Sequence, residues 1–175
     1  MFIGWVTILI SIILNPWFSL YRNALSDLGA IGVSFSYVFN GGLIVASFLA
    51  LAYGCTLILK LRGRLGRIGG VFFSISSIFL TLVSTYPEGT RPHYFVSVMF
   101  FSFLILSMIV VSIWTMKIKR ALGIVLLTLS VIALIFALIP WTSVGMLEVS
   151  VLIVATLWLL MFAINTSKTS WFSRI

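Results

Sequence analysis

Charged side chains in this sequence come in short clusters, and the stretches between them are long and almost wholly apolar. Residues 28–59, 68–87, 94–116, 121–147 and 149–167 contain no Asp, Glu, Lys or Arg. The chain of 175 residues is 62% hydrophobic and 8% charged, against about 25% charged in an ordinary soluble domain. A water-soluble core of that size could not bury so much apolar surface, so lipid must be the solvent for most of it.

A span of the bilayer takes about 20 apolar residues, and six can be laid along the chain, over 2–20, 37–59, 68–86, 93–116, 121–139 and 145–164. Short connections make consecutive spans antiparallel. The expected fold is all-α: a polytopic membrane protein whose six-transmembrane-helix bundle forms three antiparallel hairpins, as a single domain over 1–175. No cleavable signal peptide is expected, because the first apolar run begins at Met1 without a basic leader.

Basic residues set the expected orientation. Lys60, Arg62, Arg64 and Arg67 fall between spans 2 and 3, Lys117, Lys119 and Arg120 between spans 4 and 5, and Lys168 and Arg174 in the tail. Only Arg22 and Arg91 fall on the other side. Under the positive-inside rule this bias of nine to two, among 11 basic residues, places both termini in the cytoplasm of a multi-pass cell-membrane protein. Trp17 and Trp141 at the outer ends, with Trp114 and Trp171 at the inner ends, fit aromatic belts. The three outward-running spans each meet a proline, Pro16, Pro87 or Pro140. Gly70 to Pro87 and Gly123 to Pro140 are equal in length, a weak internal repeat.

A net charge of +8 could suggest nucleic acid, yet the basic residues are too few and too interrupted by apolar runs to track a phosphate backbone. Nucleic acid is excluded as a partner. Cys55 is the sole cysteine, so an internal disulfide, a CxxC pair and a cysteine zinc site are excluded. Haem with two axial histidines is excluded as well, since His93 is the only one.

All the acids, Asp27, Glu88 and Glu148, and also His93, fall at the outer ends. The first outer connection, 21–29, alternates polar and apolar residues at near-helical spacing and could lie along the interface. Asn23 and Ser26 could cap exposed amides there, and Gly29 could permit a reversal, or Asp27 could point into the mouth of the bundle. In 87–93, Pro92 suits the first position of a helix. Arg91 and the free amides beside His93 could then receive an anion, although Glu88 and Arg91 could equally pair in water. Glu148 falls in the opening turn of the last span, where an acid is favoured by about 0.3–1 kcal/mol. Within the spans, Ser74, Ser77, Thr81 and Ser84 form a stripe expected to bond across helices, and Asn40 lies near enough to the outer end to reach the same mouth.

Asn23-x-x-Ser26-Asp27-Leu28-Gly29, Phe39-Asn40-x-Gly42-Leu43, Pro87 with His93 after it, and the late Glu148 together resemble the prokaryotic membrane family known as domain of unknown function 998. The resemblance covers nearly the whole chain and implies that Asn23, Ser26, Asp27, Gly29, Asn40, Pro87, His93 and Glu148 match the shared pattern. More distantly, the Ser-Asp-x-Gly loop and the later histidine are similar to the Frag1/DRAM/Sfk1 family. That likeness implies six membrane helices and a part in lipid or glycolipid-anchor handling.

Three functions are then in competition. The first is binding or processing of an outer-leaflet lipid or amphiphile, with Asn23, Asn40, Glu88 and Arg91 as binding residues. Catalysis would use Ser26, Asp27, His93 and Glu148. It could run through a divalent metal on Asp27, Glu88, His93 and Glu148 that activates water, or through a Ser26 nucleophile with His93 as base. A lone histidine is atypical of zinc sites, and no certain cofactor is implied. The second function is a non-catalytic accessory or scaffolding subunit, with another membrane protein as partner. The third is a small transporter, disfavoured because the inner halves of the spans carry no ionisable group.

Overall fold

The computed structural model describes residues 1–167. Lys168, Trp171 and Arg174, used above for orientation and the aromatic belt, lie outside the described residues. All regular elements among the described residues are helical. They are α1 (Phe2–Leu14), a 3-10 helix (Leu25–Gly29), α2 (Ser36–Lys60), α3 (Gly63–Thr85), α4 (His93–Ile118), α5 (Arg120–Leu138) and α6 (Val144–Ser167). Helices α2 to α6 are 25, 23, 26, 19 and 24 residues long, each long and apolar enough to cross a membrane.

The first helix is shorter than the span expected from the sequence. Expected over 2–20, α1 stops after 13 residues, about 20 Å at 1.5 Å per residue, which is less than the hydrocarbon thickness of about 30 Å. The cause is local. Pro16 disfavours helical geometry at Asn15, and the Asn15 side chain turns back to donate to the Ser11 carbonyl at 2.8 Å. The Trp17 indole N–H then closes on Asn15 Oδ1 at 3.0 Å. The other outward-running helices end in the same relation to their prolines: α3 at Thr85 before Pro87, and α5 at Leu138 before Pro140. At the basic end α3 begins at Gly63, five residues before the expected 68, so Arg64 and Arg67 ride exposed on its first turns.

Each helix packs on its neighbours in sequence, and α6 also touches α4. The Trp5 indole N–H donates to Thr156 Oγ1 at 2.9 Å and ties α1 to α6. One apolar core fills the space among α2 to α6 around Met108, Val111, Leu126 and Trp158. A second sits toward the outer end, where Leu25 and Leu28 pack with Ile8, Phe39 and Leu43. Outward faces stay apolar, with Phe48 60% and Leu138 75% exposed, as lipid contact requires.

The serine stripe of α3 corrects an expectation. Ser74, Ser77, Thr81 and Ser84 each donate to the carbonyl four residues earlier in α3 itself, because a helical hydroxyl can reach its own preceding turn without a neighbour's help. Thr81 also meets Ser47 Oγ at 2.8 Å. Besides that Thr81–Ser47 contact, bonds between helices come from Ser76 to the Phe100 carbonyl, Ser107 to the Gly69 carbonyl, and the Trp158 indole to Ser112.

Candidate functional site

The first outer connection is folded by its own polar side chains. Asn23 Oδ1 accepts the Ser19 amide at 3.0 Å. Asp27 Oδ2 accepts both the Ala24 amide at 3.0 Å and Asn23 Nδ2 at 3.1 Å. The carboxylate thereby closes the opening turn of the 3-10 helix, where amides lack backbone partners. With three residues per turn, Leu25 and Leu28 fall on one side of that helix and are buried. The segment is thus drawn into the bundle rather than laid along the interface. Gly29 makes no reversal, since positive φ occurs at Gly32, Gly63 and Gly89. Its need is for close approach: a Cβ there would collide with Asn40 Oδ1, and Asn40 Nδ2 donates to the Gly29 carbonyl at 2.9 Å.

The start of α6 grips this connection. Ser143 Oγ caps α6 by accepting the Met146 amide at 3.1 Å, and donates to the Leu20 carbonyl at 2.5 Å. The Gly145 amide donates to the Asn23 carbonyl at 3.1 Å, an approach a side chain at 145 would block. One turn further, buried Glu148 accepts the Leu25 amide on Oε2 at 2.6 Å.

The second connection enters from the other side. The Ile31 amide donates to the Glu88 carbonyl at 3.1 Å, and Ser26 Oγ donates to Glu88 Oε2 at 3.5 Å. The same carboxylate oxygen lies 3.1 Å from His93 Nε2. Glu88 therefore pairs with His93 and not with Arg91, whose side chain is exposed. His93 is buried in the first turn of α4, with Nδ1 2.7 Å from the Tyr86 carbonyl oxygen. A carbonyl only accepts, so Nδ1 carries a proton, and Nε2 is left to face Glu88 and Ser97 Oγ, the latter at 3.3 Å. Ser97 was not among the expected residues. Its spacing of four from His93 on a helix is the sequence signal that could have found it.

Three connections distant in sequence thus form one polar roof. Beneath it lies an apolar cavity of about 120 Å³ among α1, α2, α3, α4 and α6, comparable to the apolar cavities of about 150 Å³ that take up benzene. Leu43, Phe73, Phe100 and Leu104 form its walls, while Ser26, Ser97 and Glu148 supply polar groups at its roof end. The expected residues divide into two groups. Glu88, His93 and Ser26 gather around one carboxylate, while Asp27 and Glu148 are held by amides of the first connection. Among the described residues no three His, Cys, Asp or Glu side chains converge as a metal site, so a ligand set of Asp27, Glu88, His93 and Glu148 is not assembled. Glu88 also stands between the expected pair of Ser26 and His93.

No curated protein and no solved structure matches the chain. A family model described as "Protein of unknown function (DUF998)" matches residues 1–165. With nearly the whole length covered, this multi-helical, membrane-spanning chain belongs to the DUF998 family.

Proposed function

We propose that this chain binds an amphiphile from the outer leaflet of the cell membrane, with the polar head under the roof and an apolar chain in the cavity. The observation that carries the reading is the cavity itself: hydrocarbon walls closed at one end by Ser26, Ser97 and Glu148. Such a lining, mostly apolar with a few convergent polar groups, is what small-ligand sites have in common. The basic clusters beside Lys60 and Lys117 lie at the opposite ends of the helices from this roof. By the positive-inside rule that end is cytoplasmic and the roof faces outward.

Native mass spectrometry of the purified chain tests binding. A bound amphiphile is expected to survive detergent exchange in the parent protein and to be lost in Ala46→Phe, which fills the cavity from its α2 wall. Equal retention by both would remove the cavity from the function.

A second reading, hydrolysis or transfer on the bound amphiphile, is favoured by one contact. Ser97 lines the cavity with its hydroxyl against His93 Nε2, the relation of a nucleophile to its base. Glu88 engages the same nitrogen, so binding is the better supported of the two. Labelling by a serine-reactive fluorophosphonate, lost in Ser97→Ala, would support catalysis; an unlabelled parent protein would count against it.

A further inference from the structure

Glu148 is the one ionisable side chain in the wall of the apolar cavity, and it is 9% exposed. We infer that it selects the headgroup: the cavity, taken as the amphiphile site proposed above, receives an apolar chain ending in a primary ammonium whose N–H groups meet this carboxylate.

A carboxylate so deeply placed is costly unless a cation and hydrogen bonds compensate it. The chain supplies one hydrogen bond, from the Leu25 amide to Oε2. Among the described residues no other group donates to the carboxylate, and none forms an ion pair with it. The remaining charges at this end are committed or turned away. Glu88 pairs with His93, and Asp27 accepts N–H groups of Asn23 and Ala24. Arg22 and Arg91 are exposed. Oε1 of Glu148 is left for the occupant of the cavity.

Hydrogen-bond donors along the wall are already spent. The Trp5 indole N–H goes to Thr156, Ser76 Oγ to the Phe100 carbonyl and Ser77 Oγ to the Phe73 carbonyl. Ser26 Oγ donates to Glu88, and Ser97 Oγ lies against His93 Nε2. The amino group of Met1 is at the far end of α1, 13 residues or about 20 Å from the roof. A phosphate or carboxylate under the roof would therefore meet acceptors where it needs donors. An ammonium brings three donors and a positive charge, enough for Oε1 and for the hydroxyl oxygens of Ser26 and Ser97. Such charge-assisted bonds gain most in apolar surroundings. A trimethylammonium carries the charge without the N–H groups.

The test uses the full chain in a non-ionic detergent, with dodecylamine, dodecanol or dodecyltrimethylammonium titrated and bound probe read by native mass spectrometry. Dodecylamine should bind about ten-fold or more tightly than dodecanol, as a hydrogen bond to a charged group implies, and more tightly than the trimethylammonium probe. Glu148→Gln should bring dodecylamine down to the level of dodecanol. Unchanged dodecanol binding in that variant would show that its fold and cavity are intact. Phosphatidylethanolamine and phosphatidylcholine, titrated in the same way, separate the sources of the ammonium. A Glu148-dependent preference for phosphatidylethanolamine would identify a membrane lipid, and dodecylamine binding without that preference a free long-chain amine. Equal binding of dodecylamine and dodecanol by the parent protein, or a preference that survives Glu148→Gln, would overturn the ammonium assignment and leave the cavity as an amphiphile site. Failure of all three dodecyl probes to bind would overturn both.

Discussion

The Leu25 amide has its partner in Glu148, more than a hundred residues away in sequence. Glu148→Ala leaves that buried N–H without an acceptor, which costs about 1–3 kcal/mol and should lower the thermal midpoint in detergent. Glu148→Gln retains an amide oxygen and should lose clearly less. If the two variants melted alike, the hydrogen bond would not be what holds the connection. At Gly29 the reasoning is steric. Gly29→Ala should destabilise because its Cβ meets Asn40 and the Phe39 ring, and Asn40→Ala should relieve the Asn40 part of that clash in the double variant. A coupling of about 0.5–3 kcal/mol is expected from the four midpoints, whereas strict additivity would mean the two do not touch. Residue roles were the least legible part of the sequence. Asp27, Glu88, His93 and Glu148 could be named as candidates from their rarity and common end. Which carboxylate meets the histidine and which caps a turn depends on distances that no spacing encodes.

The 3-10 helix shows why one element was only half legible in the sequence while its neighbours were plain. Helices α2 to α6 follow from long charge-free runs, and proline positions mark where α1, α3 and α5 end. The near-helical spacing of 21–29 suggested a segment lying along the interface, whereas burial of Leu25 and Leu28 against α1 and α2 draws it into the bundle. Leu28→Ala should therefore act on this element above all, at about 2–5 kcal/mol for a fully buried leucine. Hydrogen exchange followed by mass spectrometry should show faster exchange across 24–30 with α3 and α4 little changed. Uniform acceleration along the chain would mean that the connection is part of the global folding unit rather than a plug seated on it.

At the scale of the whole molecule, helix packing and loop contacts give one arrangement: roof groups at one end, basic turns at the other, and an apolar cavity under the roof. Clustered charges between apolar runs made the first two legible from composition alone. The cavity was not, because it arises where the side chains of five helices fail to fill the space between them, and no sequence pattern reports a void. Photoaffinity mapping with a membrane lipid carrying a diazirine near the end of its acyl chain tests the cavity most directly. Adducts are expected on cavity-facing Leu43, Phe100 and Leu104, and are expected to disappear in Ala46→Phe. Adducts confined to lipid-exposed residues such as Phe48 and Val98, unchanged by that substitution, would contradict an amphiphile held inside the bundle.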